Sequence, residues 1–374
     1  MKRILTFFKR LLLILAVLSL VIFVAGCVVL RLPQFGQKPR GEHLEQLKLS
    51  KQHNGENFEN AGDVAMTMTT GKLVRIIKAY MNQPDDKVPE TLEVLHPNMA
   101  EIRNASDTMV AITWYGHSAF FVEMDGKKIL LDPMLGEHAS PFSWSIKRFA
   151  KDLAIPIDSL PEIDAVILSH DHYDHLDYPT ILKLKDRVGH FYVPLGIGSH
   201  LTHWGVEPEK ITELDWWQNA TVDGIELICT PSQHFSGRGI NDRAATLWSS
   251  WVIKGKSKKL FFSGDSGYFP GFKEIGEKHG PFDLVLIECG QYNENWQEIH
   301  MLPEESAQAA IDLKAKTAMP IHWAMFELSV HSWTEPVERV SVKAKELGLP
   351  ITTPKIGERF SLDEPLPNST WWRN

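Results

Sequence analysis

The sequence predicts a mixed α/β (α+β) protein built as a four-layer αββα sandwich, two packed sheets with helices outside. Three observations carry this expectation. Strand hairpins come first in the chain, strand–helix alternation follows, and the pattern then runs a second time. Short apolar runs rich in β-branched residues have the length of strands covered on both faces. Several of them end in His and Asp, which packing alone does not explain because a buried polar group needs a partner.

At the start of the chain, Lys2, Arg3, Lys9 and Arg10 precede the apolar run Leu11 to Leu30, roughly twenty residues and long enough to span a bilayer. Basic residues on the amino side hold that end in the cytoplasm and send the body outward. The chain is therefore expected to be anchored in a membrane by its N-terminus, with the body on the periplasmic or extracytoplasmic side. Val24-Ala25-Gly26-Cys27 is similar to a bacterial lipoprotein cleavage box, which would make Cys27 a lipidated terminus. The run continues through Val28-Val29-Leu30, as an uncleaved anchor would. Both readings stand. Beyond it, residues 31–60 turn polar with little periodicity and read as a linker. Over residues 63–83, Leu73, Val74, Ile76, Ile77, Tyr80 and Met81 recur at helical spacing while Lys72, Arg75 and Lys78 take other faces. Such a helix either lies apolar side down on an anionic membrane or packs on its own domain.

From Met109 the pattern becomes β. Strands are predicted over 111–114, 119–124 and 128–131, the last two joined by the Asp125-Gly126 turn. Asp132 closes that hairpin, either as a turn residue before Pro133 or as a carboxylate steadying a ligand imidazole. Next comes Ile163-Asp164-Ala165-Val166-Ile167-Leu168, a buried strand that runs into Ser169-His170-Asp171-His172-Tyr173-Asp174-His175. Further strands are expected over 190–194, 225–230, 247–253, 259–263, 284–288, 318–322 and 358–362. Helices are expected over 198–204, from Pro303 to 316, and over 336–347. Three imidazoles and two carboxylates within six residues, delivered by a buried strand, suit a divalent metal.

Charge and cysteine usage narrow the classes. The formal charge is −8, but residues 1–40 hold seven Lys/Arg and no Asp/Glu, so residues 41–374 carry −8 − 7 = −15. An acidic body disfavours nucleic acid as a partner. Cys229 and Cys289 sit in apolar strand-like runs and act as small hydrophobes. No Cys-x-x-Cys occurs to indicate a zinc ribbon or disulfide framework.

His170-Asp171-His172-Tyr173-Asp174-His175 resembles the signature of the metallo-β-lactamase-fold hydrolases. Thr113-Trp114-Tyr115-Gly116-His117, Leu131-Asp132-Pro133, Leu214-Asp215-Trp216-Trp217, Thr230-Pro231-Ser232-Gln233-His234, Gly264-Asp265-Ser266-Gly267-Tyr268 and Ile321-His322-Trp323 follow around it in order. Together they resemble the N-acyl-phosphatidylethanolamine-hydrolysing phospholipase D branch, from about residue 112 to about 360. The resemblance implies two divalent metal ions, expected to be Zn²⁺. His170, His172 and His234 would hold one, Asp174, His175 and His322 the other, and Asp265 would bridge both. It also implies attack of a metal-bridging hydroxide on a phosphodiester, opposite the departing alkoxide, giving phosphatidic acid and an N-acylethanolamine. Asp174, Asp265 and His300 are the expected catalytic residues. His300 would face the phosphate or leaving group, or else be an exposed loop histidine. Tyr173 would steady the phosphate or pack below the metals. Phe142, Trp144, Phe149, Phe235, Phe326 and Trp333 flank the site in sequence and would line an apolar groove or pack in the core. Gln291 and Tyr292 depart from the small apolar residues the resemblance leads one to expect.

The layout expected is an anchor over 1–30, linker and helical extension over 31–105, a hydrolase domain over 106–365 and a tail over 366–374. Expected partners are a phospholipid substrate, the membrane surface and a second copy in a homodimer. Two rival readings are a lactonase or other small-molecule hydrolase on the same scaffold, and a membrane-tethered binding protein with structural metals. The anchor and the acidic body favour neither a lactonase nor a nuclease. A bridging Asp265 with open coordination opposes a purely structural role.

Overall fold

The computed structural model describes residues 2–62, 64 and 69–373. Helix α1 (Lys2–Val29) comes first and is long and apolar enough to cross a membrane; its most apolar stretch is unburied. Helix α2 (Gly41–Leu47) follows, then α3 (Thr70–Met81) and the short α4 (Met99–Arg103). The expected helix over 63–83 is thus present from Thr70, where Thr69 caps it by accepting from the Lys72 N–H. Residues 63 and 65–68 lie outside the described residues.

The first half of the body runs β1 (Ala111–Gly116), β2 (Ala119–Met124), β3 (Lys127–Leu131), β4 (Ile163–Ile167), α5 (Tyr178–Leu184), β5 (Val188–Pro194), α6 (Gly198–His203) and β6 (Ile211–Leu214). The second runs β7 (Asn219–Val222), β8 (Ile225–Thr230), β9 (Ser250–Lys254), β10 (Lys259–Phe262), α7 (Gly271–His279), β11 (Leu284–Glu288), α8 (Pro303–Asp312), β12 (Ala318–Ile321), α9 (Glu335–Leu347) and β13 (Arg359–Ser361). One sheet has the order β13-β1-β2-β3-β4-β5-β6 and the other β12-β11-β10-β9-β8-β7. In each, an antiparallel hairpin region passes into parallel strands, at β3–β4 and at β10–β11. The C-terminal β13 returns to the first sheet beside β1.

Side chains alternate across the first sheet with the two-residue period of a strand. Ile112, Trp114, Phe120, Val122, Ile129 and Leu131 enter the large core shared with the second sheet. Tyr115, Phe121, Leu130 and Val166 point the other way, onto Ile181 and Leu184 of α5 and Leu201 of α6. Helices α7 to α9 contribute Phe272, Ile275, Ala307, Ala310, Val337 and Val340 to the large core. Both sheets are covered, so the four layers are those expected.

Three local differences have physical causes. Helices α5 and α7 escape the periodicity because one is short and the other is interrupted by Gly276. The strand expected over 247–253 begins only at Ser250. Before it, the Leu247 N–H bonds Leu195 O and the Ser249 N–H bonds Ser169 O, tying the segment to the ends of the first sheet. The stretch read as a linker, 31–60, is docked: Leu47 and Phe58 are buried in the large core. Helix α3 touches the body on one side, where Arg75 Nε donates to Asn295 Oδ1 at 3.0 Å, but its apolar side chains are not buried against it. Leu73, Val74, Ile77, Tyr80 and Met81 stand 46 to 79% exposed.

Candidate metal centre

Strand ends converge along one edge of the sandwich and bring the seven expected ligands together. After β4, a loop carries His170, His172, Asp174 and His175; His234 follows β8, Asp265 follows β10 and His322 follows β12. Gly264 makes the approach of Asp265 possible. Its φ is +55°, and a Cβ there would stand 2.6 Å from the Ser169 Cβ. Non-glycine residues with positive φ gather here too: His117 at +53°, Asp132 at +36° and His322 at +69°. Such conformations cost energy and persist where the surroundings demand them.

Two groups of donors form. In one, His172 Nδ1 lies 2.9 Å from His170 Nε2 and 3.2 Å from His234 Nε2. Asp265 Oδ2 completes it, 3.8 Å from His170 Nε2 and 3.7 Å from His234 Nε2. In the other, Asp174 Oδ2 lies 3.4 Å from His175 Nε2 and 3.3 Å from His322 Nε2. Asp265 Oδ1 stands 3.1 Å from His175 Nε2 and 3.0 Å from His322 Nε2. Asp265 therefore turns one oxygen to each group. Ligands about 2.0–2.2 Å from a tetrahedral ion stand roughly 3.3–3.6 Å from one another, close to what is seen. His175 Nε2 and Asp265 Oδ1 are buried and lack a hydrogen-bond partner among the described residues. Both features fit a pair of divalent ions.

The imidazoles are aimed from behind. Asp132, fully buried, accepts from the Ser169 N–H at 2.7 Å, from the Ser169 hydroxyl at 2.5 Å and from His175 Nδ1 at 2.6 Å. That fixes the His175 tautomer with Nε2 free for a ligand role. His234 donates through Nδ1 to Ile299 O at 3.0 Å, with the same effect. Asp132 is thus the carboxylate that orients the His175 ring rather than a plain turn residue.

Burial disfavours charge throughout, so neighbours decide. It would raise Asp265, but His175 and His322 outweigh it and hold the carboxyl well below its usual range. It would lower His322, but Asp265 and Asp174 push that ring up to about 10. His170 and His234 are held low, chiefly by burial. Protons and metal ions would compete for the same lone pairs.

A β-lactamase superfamily domain matches residues 127–323, more than half of the chain, and settles the family. The chain belongs to the metallo-β-lactamase-fold hydrolases. An uncharacterised Mycobacterium tuberculosis protein is 41% identical over 268 residues, 71% of this chain and 72% of that one. The N-acyl-phosphatidylethanolamine-hydrolyzing phospholipase D 1 of Caenorhabditis elegans is 30% identical over 302 residues, 77% of this chain and 84% of its own. Among solved structures, Igni18, a metallo hydrolase from the archaeon Ignicoccus hospitalis, shares the fold, with a TM-score of 0.51 at 24% identity, covering 68% of this chain and 98% of its own. This metallo-β-lactamase-fold protein is a metal-dependent hydrolase, and its fold implies divalent ions at the His/Asp clusters.

Around the clusters of this hydrolase lies a pocket of about 420 Å³. Its wall includes His172, Asp174, Asp265, His300 and His322, with Lys72, Ile76 and Tyr80 from α3 and Ile299 and Leu328 from the body. Of the six flanking aromatics only Phe235 lines it. Phe149, Phe326 and Trp333 line a separate small cavity, and Phe142 stacks on Trp144 at 5.5 Å. Apolar surface at the pocket comes also from α3, through Ile76 and Tyr80, which no motif marks. Tyr173 packs: its ring lies 4.0 Å under the Arg238 guanidinium and its hydroxyl donates to Arg238 O at 2.7 Å. Gln291 lines the pocket and holds the 326–328 loop, accepting from the Leu328 N–H at 3.0 Å.

His300 is half-buried at the pocket wall. Its Nδ1 bonds the buried Glu288, whose other oxygen accepts from the Ser266 N–H at 2.5 Å. Glu288 ends an apolar strand, as the expected ligands do, yet no motif of the resemblance includes it. His117, in the loop between β1 and β2, also joins the site. Its Nε2 donates to Asp174 Oδ2 at 2.9 Å, and burial, with His322 beside it, pushes the ring down to about 3, so it is neutral.

Proposed function

We propose that this hydrolase is a membrane-associated phosphodiesterase of the phospholipase D type, acting on N-acyl-phosphatidylethanolamine or a related phospholipid. The observation that carries the reading is the position of α3. One side of it walls the pocket through Ile76 and Tyr80, while Leu73, Val74, Ile77 and Met81 stay open to solvent. A basic amphipathic helix with an unburied apolar face beside a hydrolytic pocket suits a substrate drawn from a lipid surface. The apolar α1 supports the same placement, with residues 1–30 as anchor and the body on the extracytoplasmic side.

In this reading His170, His172 and His234 hold one Zn²⁺, Asp174, His175 and His322 the other, and Asp265 serves both. When bound, such a pair supplies an ionised water near neutral pH and positive charge for phosphate oxygens. The rest falls to the chain. Lys72 and Arg243 on the pocket wall face the phosphate with further positive charge. His300, oriented by Glu288 through Nδ1, presents Nε2 to the leaving alkoxide and gives it a proton. Ile76, Tyr80 and Leu328 receive the acyl chains.

The test is turnover by the full chain in detergent, loaded with zinc. N-acyl-phosphatidylethanolamine, an ordinary phospholipid, bis(p-nitrophenyl) phosphate and lactones are compared side by side. Release of phosphatidic acid and an N-acylethanolamine, abolished by His172→Ala or Asp265→Asn, is the expected result. Turnover of lactones alone would leave the fold standing and remove the phospholipase reading.

A further inference from the structure

Resting on the ligand assignment above, we infer that residues 33–60, between the apolar helix and the body, position the metal-ligand loops and set how tightly the metal is held. Asn60 is the clearest contact. Its amide donates to His234 O at 2.8 Å and its carbonyl oxygen accepts from the His234 N–H at 3.1 Å, so one side chain brackets a ligand's backbone. The Trp248 indole donates to the same oxygen at 3.0 Å and fixes the amide's orientation.

The beginning of the segment reaches the other ligand loop by two routes. Arg238, buried, donates through Nη1 to Asp171 O at 2.6 Å and Leu176 O at 2.8 Å, spanning the loop that holds His172, Asp174 and His175. The same guanidinium donates to Gln34 O at 3.2 Å through Nε and 2.8 Å through Nη2. The second route is a relay. The Gln37 N–H donates to His200 Nδ1 at 3.0 Å, which puts the His200 proton on Nε2, and Nε2 donates to Asp171 Oδ2 at 3.2 Å. Asp171 lies between two ligands in the chain, and its other oxygen accepts from the Gly237 N–H at 2.7 Å. The segment passes His200 closely: Gly36 has φ +70°, and a Cβ there would stand 2.1 Å from His200 Nδ1.

These are bonds between backbone and buried polar groups, and they have no substitute if the segment lifts away. Arg238 would keep its charge and lose the acceptor shared by two of its nitrogens, and the His234 N–H would lose the acceptor that Asn60 gives it. Partners that orient a ligand typically govern metal affinity by 10–100-fold. Linkage then runs both ways: what the segment does for the metal, the metal does for the segment. The chain just after the membrane helix is therefore part of the metal centre rather than a spacer.

The experiment uses the full chain in detergent, loaded with Co²⁺ for its visible bands. Asn60→Ala and Gly36→Ala are expected to speed metal loss to a chelator about tenfold or more and to shift the cobalt spectrum. In the unsubstituted chain, metal loading is expected to slow hydrogen exchange at the Gln37 and Phe58 amides. That second measurement needs no variant, so it decides even if a substituted chain fails to fold. Wild-type release rates and spectra in both variants, with exchange at Gln37 indifferent to metal, would overturn the inference while metal loss in His172→Ala kept the ligand assignment. Tight metal binding by His172→Ala would overturn both.

Discussion

Replacing Asp132 by Asn changes almost nothing in shape and removes one acceptor at a fully buried point. The carboxylate now serves three donors, the Ser169 N–H, the Ser169 hydroxyl and the His175 ring. An amide keeps its oxygen toward the Ser169 N–H and turns NH₂ toward the other two. Ser169 adapts by rotating its hydroxyl to accept. His175 has a harder choice: it pairs with the amide only by moving its proton to Nε2, the nitrogen 3.1 Å from Asp265 Oδ1. The site must then either leave a buried donor unpaired or spend the lone pair a metal needs. Leaving a donor unpaired costs about 1–3 kcal/mol, which at roughly 1.4 kcal/mol per decade is about 5- to 140-fold in metal affinity. Competition titration against a chelator measures this directly, with thermal unfolding of the metal-free chain as the control for folding. Binding within twofold of the unsubstituted chain would refute both the tautomer argument and the role given to Asp132.

Removing apolar surface from α3 by the double change Leu73→Ser/Ile77→Ser should lower turnover of vesicle phospholipid about tenfold, since two half-exposed side chains forfeit roughly 1–2 kcal/mol of lipid burial; turnover of soluble bis(p-nitrophenyl) phosphate should stay level, and an equal fall in both would sink the lipid role. Glu288→Gln takes the anchoring charge from His300, so hydrolysis of esters with alkoxide leaving groups should drop on the order of 10²-fold or more, while p-nitrophenyl esters, which leave without a proton, should be little affected; kcat for the two substrate types checks it. His43 on α2 is raised above its ordinary 6.5 by its hydrogen bond to Glu213, burial opposing, at 2.7 Å. A raised imidazole contributes stability that is full below about 6.5 and fades as pH climbs through the folded value, so protection of residues 33–60 from proteolysis should fall above neutrality, and His43→Ala should flatten that slope.

What could be read from residues alone, and what could not, divides along a physical line. A buried strand that ends in His or Asp contradicts the chemistry of packing, and the sequence shows that contradiction most plainly in the run from His170 to His175; His234, Asp265 and His322 taken singly suit a core or turn role, and the family resemblance is what joins them to that run. Glu288 obeys the same rule at the end of β11, but no motif of the resemblance includes it. Asp132 reads only as a turn residue or a support, and its three donors come from the loop that follows β4, which lies near it in the fold and not in the chain. The pocket wall was misread for the opposite reason. Phe142, Trp144 and Trp333 are near the motifs in sequence, yet strand order sends them elsewhere, whereas Ile76 and Tyr80 lie about a hundred residues from the first ligand.

The segment 33–60 is the hardest case. Its contacts to the ligand loops use the carbonyl of Gln34, the amide of Gln37 and one Asn side chain. Backbone groups carry no residue identity, so composition and periodicity register only a polar stretch, and a polar stretch after a membrane helix reads as a tether. One local signal points the other way. Gly36 holds a left-handed conformation against a buried imidazole, and a tether in solvent has no need of such a position. The residues that dock a segment through its backbone are therefore to be sought on the receiving side, where Arg238 and His200 are buried polar side chains whose hydrogen bonds go to residues distant in sequence.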